Sequence, residues 1–213
     1  FRHSGMKIAV VDYGMGNLRS VAKALEHVAP QASVSVSSDP HEILAADRVV
    51  FPGQGAMPDC MRGMNERGLH DAVLKSSQQR PFLGICIGLQ MLFDFSEEGG
   101  AEGLHVFKGA VRRFPPEMMA KQHLKVPHMG WNQVFPRRGH PMWHGISAGE
   151  RFYFVHSYYA APDDDRLIAA DARYGMEICV AVARENIFAV QFHPEKSQAA
   201  GLRLLSNFVA WQP

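Results

Sequence analysis

The sequence predicts a single-domain α/β protein with a mostly parallel central sheet flanked by helices, and with an additional antiparallel β segment in its second half. Short apolar runs closed by glycine alternate with helix-patterned segments over about the first 95 residues, which is typical of parallel βαβ units. From Leu104 to Val190 the segments become short and turn-punctuated, with strand character. Because no linker, low-complexity tract or internal repeat interrupts the chain, we predict one domain.

The first half contains alternating strand and helix patterns. "KIAVVDYG" is an apolar run that ends at glycine, which predicts a buried strand. The following "NLRSVAKALEHV" has its apolar residues at helical spacing. Asp39 as N-cap and Pro40 as first helical residue predict the start of another helix. We predict further strands over "ASVSVSS", "RVVFPG" and "PFLGIC", and further helices between Met57 and Ser77 and over "IGLQMLFDFS".

The second half is predicted to be mostly antiparallel sheet joined to the same core. Its strand-like segments are "HVFKGAVRRF", "WNQVFP", "RFYFVHSYYA", "RLIAADARYG", "EICVAVAREN" and "IFAVQFHPE". The final segment, "EKSQAAGLRLLSNFVAW", has the pattern of an amphipathic helix, with Leu202, Leu205, Phe208 and Val209 on one face.

Composition excludes several functional classes. The 213 residues carry a formal net charge of +1, so nothing favours a nucleic-acid or acidic membrane surface. No apolar run approaches the roughly 20 residues that a membrane span needs, and the N-terminus has no signal-peptide pattern. We therefore expect a cytoplasmic protein with no nucleic-acid or membrane partner. We also expect residues 1–5 to be an expression remnant before a start at Met6, so that the domain covers residues 6–213.

Neither a disulfide framework nor a metal site is predicted. The chain has three widely spaced cysteines and no CxxC pair; the cysteines are Cys60, Cys86 and Cys179. This odd number and spacing argue against a disulfide framework and against a zinc site. His140 and His144 are four residues apart, but Pro141 and Gly145 disfavour a helix that would present them together. We expect no metal and a reducing compartment.

The segment "GICIG" places Cys86 between two glycines at a predicted strand-to-helix turn. Gly84 and Gly88 permit a backbone that no Cβ would accept. A thiol at this corner faces the positive end of the following helix, which favours the thiolate, and the amide of Ile87 could serve as an oxyanion donor. A buried cysteine in a tight turn explains these five residues equally well, so other residues must decide.

A base and its orienting group are available in "AVQFHPEKS". His193 follows an apolar strand, where a side chain can emerge at the carboxyl edge of the sheet. Glu195 lies two residues on, and Pro194 fixes the backbone between them. A carboxylate on one imidazole nitrogen fixes the tautomer and supports the charged form. Taken separately, His193 could be a strand-end histidine bonded to backbone, and Glu195 a charge at a helix start.

A third segment, "FPGQGAMP", also follows a predicted strand and should reach the same edge of the sheet. Gly53 and Gly55 allow close backbone approach and an amide directed at a bound carbonyl oxygen. Taken alone, the segment is an ordinary turn.

Together these segments carry a resemblance to a family. "GICIGLQ", "FPGQG" and "FHPEKS" resemble the class I glutamine amidotransferases, which use a Cys-His-Glu triad on an α/β sheet. "DYGMGNLRSV", "PHMGWN" and "YFVHSYY" narrow this to the glutaminase subunits of imidazole glycerol phosphate synthases. The resemblance covers essentially the chain from Met6 to the C-terminal helix.

The resemblance implies hydrolysis of L-glutamine through a γ-glutamyl thioester, without a cofactor. Cys86 would be the nucleophile, His193 the base and then the acid, and Glu195 the group that orients His193. The oxyanion would be held by backbone amides of Ile87, Gln54 and Gly55. Glutamine would be bound by Gly53, Gln90, Glu98, Ser157 and Tyr158.

The resemblance also implies a heterodimer with a (β/α)8-barrel cyclase, which receives the ammonia through a tunnel. The residues implied at that interface are Asn17, Trp131, Tyr153 and Lys196. One departure concerns Gln54, where family members often have Val. The resemblance implies that a peptide of the loop at residues 53–55 flips when the partner is loaded. A longer polar side chain at residue 54 is therefore expected to affect the resting geometry of this loop.

Three alternatives differ in chemistry or partner. The chain could be the glutaminase of another amidotransferase, of the anthranilate or pyridoxal phosphate synthase type, although "PHMGWN" argues against that. A dinucleotide- or flavin-binding module would need glycine at Arg19 to complete GxGxxG in "VVDYGMGNLRS". A scaffold in which Cys86 is only packed is disfavoured by the intact His193–Glu195 pair.

Overall fold

The computed structural model describes residues 3–213. Phe1 and Arg2, part of the predicted remnant, lie outside the described residues. The helices are α1 (Leu18–Val28), α2 (Pro40–Ala45), α3 (Met57–Glu66), α4 (His70–Gln79), α5 (Ile87–Gln90), α6 (Pro116–Lys121) and α7 (Gln198–Ala210). The strands are β1 (Lys7–Val11), β2 (Ser33–Ser37), β3 (Arg48–Gly53), β4 (Phe82–Cys86), β5 (Phe95–Ser96), β6 (Gly109–Arg113), β7 (His128–Pro136), β8 (Glu150–His156), β9 (Tyr158–Pro162), β10 (Ile168–Arg173), β11 (Glu177–Arg184) and β12 (Ile187–Val190).

The strands form one mixed sheet in the order β2-β1-β3-β4-β12-β11-β10-β7-β8, with β5, β6 and β9 joined at the side. The pairs from β2 to β12 are parallel. From β12 onward the pairs along this path are antiparallel. The predicted α/β fold, with a parallel core and an antiparallel second half, is therefore confirmed.

Strand β12 joins the two parts of the sheet. It pairs in parallel with β4 on one side and in antiparallel fashion with β11 on the other. All residues of β3, β4 and β12 are buried, as continuous apolar runs in a covered sheet require. Because β3, β4 and β12 are neighbouring parallel strands, their carboxyl ends meet at one edge of the sheet, which becomes the site described below.

The predicted cap at Asp39 is confirmed, since its side chain accepts a hydrogen bond from the His41 amide at 2.9 Å. In the C-terminal helix α7, Leu205, Phe208 and Val209 are buried as predicted. Leu202 is only half-buried, and Leu204 takes the fully buried place. Helix α7 packs against α1, and α2 packs against α4.

The stretch between Met57 and Ser77 is helical as predicted, but the chain forms two helices there, α3 and α4, with a break at Gly68. Gly68 has φ of +67°, its amide donates to the Asn65 carbonyl, and the Leu69 amide donates to the Met64 carbonyl. This is the Schellman arrangement that ends a helix at a left-handed glycine.

The long helix predicted over "IGLQMLFDFS" is wrong, because α5 is a single turn that ends at Gln90. The carbonyls of Met91, Leu92 and Phe93 accept hydrogen bonds from amides of residues 104–107. These carbonyls are therefore not available to continue the helix, and the chain turns into β5.

Candidate active site

Cys86 lies at a strained corner between β4 and α5. Its backbone has φ of 57° and ψ of −114°, a region that a non-glycine residue adopts only when its surroundings hold it there. A Cβ on Gly88 would lie 1.9 Å from the Phe51 carbonyl oxygen, so only glycine permits this close approach of α5 to β3. The corner directs a nearly buried thiol, 3% exposed, to the edge of the sheet.

His193 and Glu195 follow β12, the strand beside β4. The Nδ1 atom of His193 lies 3.1 Å from Oε2 of Glu195, and the two side chains are 4% and 1% exposed. Among the described residues, no hydrogen-bond partner contacts the buried Nε2 atom of His193. Because the carboxylate accepts the Nδ1 proton, Nε2 is the nitrogen left to exchange a proton with Cys86.

The electrostatics of His193 favour its charged form. Burial lowers the pKa of its imidazole, but the Cys86 thiolate and the Glu195 carboxylate outweigh burial and raise that pKa to about 10. The charged form of His193 and a thiolate at Cys86 therefore stabilise each other, which is the arrangement of an activated cysteine nucleophile.

The other two cysteines are inert by contrast. Burial raises the pKa of Cys179 to about 12 and that of Cys60 to about 11. Both remain thiols at neutral pH, so neither competes as a nucleophile. The Cys60 thiol instead donates to the Gln54 carbonyl, with sulfur and oxygen 3.3 Å apart. It thereby contacts residues 53–55 at the end of β3, which we call the glycine loop.

A cleft of about 330 Å³ opens beside these groups. It brings together nine residues predicted for the site: Cys86, His193, Ile87, Gln54, Gly55, Gln90, Glu98, Ser157 and Tyr158. Glu195 stands behind His193 rather than on the cleft wall. Gly53 is not among the lining residues, although it pairs with Cys86 across β3 and β4.

The polar end of the cleft is formed by Gln90 and Glu98. The Gln90 amide nitrogen donates to the Tyr158 carbonyl at 3.1 Å and to Gln191 Oε1 at 3.0 Å. Its buried Oε1 atom has no partner within residues 3–213, so Gln90 can offer a ligand only an acceptor. Glu98 Oε1 accepts the Met57 amide at 2.7 Å and so ties the cleft to the first turn of α3.

Two buried histidines support this end of the cleft. His156 Nδ1 lies 2.8 Å from the Tyr158 carbonyl, and its Nε2 lies 2.9 Å from His128 Nδ1. The second nitrogen of His128 faces the Asn132 amide nitrogen at 3.3 Å. Burial lowers the pKa of His128 to about 4 and that of His156 to about 3, so both rings are neutral at pH 7.

The residues predicted for the partner interface lie close to the catalytic groups. Trp131, 44% exposed, pairs with Tyr153 across β7 and β8, with the ring centroids 6.1 Å apart. The Tyr153 carbonyl accepts the His193 amide at 2.9 Å. Lys196 is half-buried, and its amide donates to the His193 carbonyl at 3.0 Å.

Asn17 is half-buried at the start of α1, in the loop after β1. This loop packs against the glycine loop, since a Cβ on Gly16 would lie 3.9 Å from the Gly53 backbone. A Cβ on Gly55 would lie 3.1 Å from the Met15 side chain. A partner contact at Asn17 would therefore be transmitted to the glycine loop, which carries the predicted oxyanion donors Gln54 and Gly55.

Sequence reasoning missed Gln191, His128 and His156. Gln191 is a polar residue inside an apolar run, two positions before His193, and that placement was an available signal. The two histidines lie in "PHMGWN" and "YFVHSYY", segments that were used only for the resemblance. Their pairing across β7 and β8 needs the strand register, which the sequence does not give.

The comparison with protein families identifies the chain. The family model "Glutamine amidotransferase class-I" matches residues 9–211. The chain belongs to this family. Membership decides against the dinucleotide-binding module and the non-catalytic scaffold as alternatives.

Close relatives of this amidotransferase carry one name. The chain is 61% identical over 209 residues to "Imidazole glycerol phosphate synthase subunit HisH" of Aromatoleum aromaticum, and the match covers 97% of this chain and 99% of the relative. It is 59% identical over 213 residues to the protein of that name in Dechloromonas aromatica, covering 99% of each. These identities favour this subgroup over amidotransferases of the anthranilate or pyridoxal phosphate synthase type.

Solved structures share the amidotransferase fold at low sequence identity. The crystal structure of a glutamine amidotransferase superposes with a TM-score of 0.69 at 17% identity, covering 95% of this chain and 99% of that one. PurLQS from Thermotoga maritima gives a TM-score of 0.70 at 18% identity, covering 96% and 98%. In the described part of the chain, no helix has the length and apolar character to cross a membrane.

Proposed function

We propose that this amidotransferase is the glutaminase subunit of an imidazole glycerol phosphate synthase and acts in the cytoplasm. It hydrolyses L-glutamine to glutamate and ammonia. It delivers the ammonia to a (β/α)8-barrel cyclase, which makes imidazole glycerol phosphate and an aminoimidazole carboxamide ribotide in histidine biosynthesis. The observation that carries the proposal is the strained Cys86 corner facing a buried His193–Glu195 pair. The 61% identity to a protein named as part of this synthase supports the choice of pathway.

In the first half of the reaction, Nε2 of His193 takes the proton of the Cys86 thiol, and the resulting thiolate attacks the side-chain carbonyl carbon of glutamine. The backbone amides of Ile87, Gln54 and Gly55 receive the charge that develops on the oxygen. The His193 imidazolium then gives its Nε2 proton to the departing nitrogen. The carbon–nitrogen bond breaks, ammonia leaves, and a γ-glutamyl thioester remains on the sulfur.

In the second half, the now neutral imidazole of His193 takes a proton from water as the water attacks the thioester. Collapse of this intermediate breaks the carbon–sulfur bond, releases glutamate and restores the thiolate–imidazolium pair. Glu195 holds the Nδ1 proton throughout and keeps Nε2 directed at the reacting atoms.

The polar end of glutamine lies against the far wall of the cleft. Gln90 accepts a hydrogen bond from the ligand through its remaining Oε1 atom, and Glu98 attracts the α-ammonium group. The backbone around Ser157 and Tyr158 completes the subsite, whereas Gly53, which pairs with Cys86 and does not line the cleft, takes no part in it. This division places recognition at one end of the cleft and chemistry at the other.

The cyclase acts on the catalytic groups through two short routes. A cyclase docked at Trp131 and Tyr153 contacts the residue whose backbone carbonyl accepts the hydrogen bond of the His193 amide. At Asn17, it bears on the loop packed against Gly53. Because both routes end at the catalytic groups, docking and activation are coupled, and the isolated glutaminase is a weak enzyme.

The proposed nucleophile is tested by covalent trapping with an electrophilic glutamine analogue. The wild-type protein is expected to be labelled at Cys86 and to lose glutaminase activity in step with labelling. Cys86→Ala should neither label nor turn over, while the matched variant Cys179→Ala should do both. Labelling that persists in Cys86→Ala, or turnover that survives there, would remove the chemical basis of the proposal.

A further inference from the structure

The fully buried side chain of Gln191 lies between the substrate end of the cleft and the nucleophile. Its Nε2 atom is 3.8 Å from the Cys86 sulfur, within hydrogen-bond range for sulfur, and its Oε1 atom accepts from Gln90 at 3.0 Å. None of the steps described above uses Gln191. Its placement against the reacting sulfur nevertheless gives it a means to act on that atom.

The direction of the Gln191 amide follows from its neighbours. The Tyr158 carbonyl can only accept, so the atom of Gln90 facing it must be the amide nitrogen. The same nitrogen faces Gln191, which must therefore present its oxygen to Gln90. The Gln191 nitrogen is left facing Cys86, so a backbone carbonyl fixes the polarity of the whole chain of amides.

We propose that Gln191 donates a hydrogen bond to the Cys86 sulfur and thereby stabilises the thiolate and fixes its direction. A donor to a charged acceptor favours the charged form. Gln191 does so without adding charge, whereas His193 supplies the counter-charge. Two donors from different residues hold the sulfur more closely than one.

The alternative partner of the sulfur explains when this hydrogen bond forms. As a thiol, Cys86 can donate to the Val155 carbonyl, with sulfur and oxygen 4.0 Å apart. As a thiolate it can only accept, and Gln191 then becomes its neutral donor. In the thioester the sulfur carries less negative charge, so the hydrogen bond weakens on acylation and forms again when glutamate leaves.

The pH dependence of Cys86 alkylation by iodoacetamide tests this proposal on the full chain, read as the mass of the Cys86 peptide. Gln191→Met keeps a side chain of similar length and removes the donor. The matched control is Asn207→Leu, which removes a buried amide that bonds the Met142 and His144 carbonyls instead. We expect the pH of half-maximal labelling to rise by about one unit in Gln191→Met, the shift equivalent to a tenfold loss of thiolate. We expect no shift in Asn207→Leu.

A profile for Gln191→Met that overlays that of the wild type would overturn the proposal. If that variant does not fold, Gln191→Asn keeps the amide but withdraws it from the sulfur, and the same one-unit rise is expected. The proposal relies on the proposed function only for Cys86 as the nucleophile. Absence of Cys86 labelling in the wild type would refute that function, whereas labelling at Cys86 without a shift in the variants would refute the role of Gln191 alone.

Discussion

Acidification should destabilise this protein through its two buried histidines. Burial holds the pKa of His128 at about 4 and that of His156 at about 3, against about 6.5 in an unfolded chain. As the pH falls below 6.5, the unfolded chain binds protons that the folded protein excludes. The free energy of unfolding therefore decreases as the pH falls, and this loss continues until the pH reaches the folded values.

The magnitude between pH 7 and pH 5 depends almost wholly on the unfolded pKa, because both folded values lie below 5. Each histidine then contributes a loss of about 2 kcal/mol, or about 4 kcal/mol for the pair. His128→Phe preserves the ring stacked between Phe154 and Tyr174 and removes one titrating group. We expect its stability to fall by about 2 kcal/mol less than that of the wild type between these pH values.

Urea unfolding at pH 7, 6 and 5 measures this difference, and His41→Gln serves as a control because His41 is exposed on α2. The control should show the pH dependence of the wild type. Comparing the variants removes the contributions of other titrating groups. If His128→Phe lost as much stability on acidification as the wild type, the claim that this pair is buried in the neutral form would be refuted.

Three further predictions concern the strained corner at Cys86, the Cys-His-Glu triad and the predicted partner interface. Gly88→Ala should destabilise the fold by about 3 kcal/mol or more because its Cβ meets the Phe51 carbonyl oxygen, and a melting temperature equal to that of the wild type would contradict the geometry of this corner. Glu195→Gln should reduce turnover by about 10² to 10⁴-fold without unfolding the protein, as measured by glutamate release together with circular dichroism; undiminished turnover would show that the carboxylate is dispensable. Trp131→Ala should abolish stimulation by the cyclase but leave hydrolysis by the isolated chain unchanged, whereas Phe135→Ala, also exposed on β7, should retain stimulation; full stimulation of Trp131→Ala would move the interface elsewhere.

The sequence was sufficient where one local rule decided the structure. Buried parallel strands were visible as continuous apolar runs, which is why β1, β3 and β4 could be predicted. The approach of Cys86 and His193 followed from the rule that parallel strands end at one edge of the sheet. Gly68 was also an available signal that the helical stretch between Met57 and Ser77 would be interrupted there.

Other features depended on contacts between distant segments. The helix after Cys86 stops after one turn because residues 104–107 take the carbonyls that it would need. The hydrogen bonds from Gln90 to Gln191 and onward to Cys86 join positions 101 and 105 residues apart. No periodicity or spacing in the chain encodes such pairs, so only the folded structure brings them into view.

The most direct test of the proposed function is steady-state hydrolysis of L-glutamine by the purified protein, alone and with the barrel cyclase and its nucleotide ligand. We predict weak hydrolysis alone, a strong increase with the loaded cyclase, and none under either condition for Cys86→Ala. Hydrolysis that does not respond to the cyclase would contradict the assignment to this synthase, and hydrolysis that persists in Cys86→Ala would contradict the mechanism.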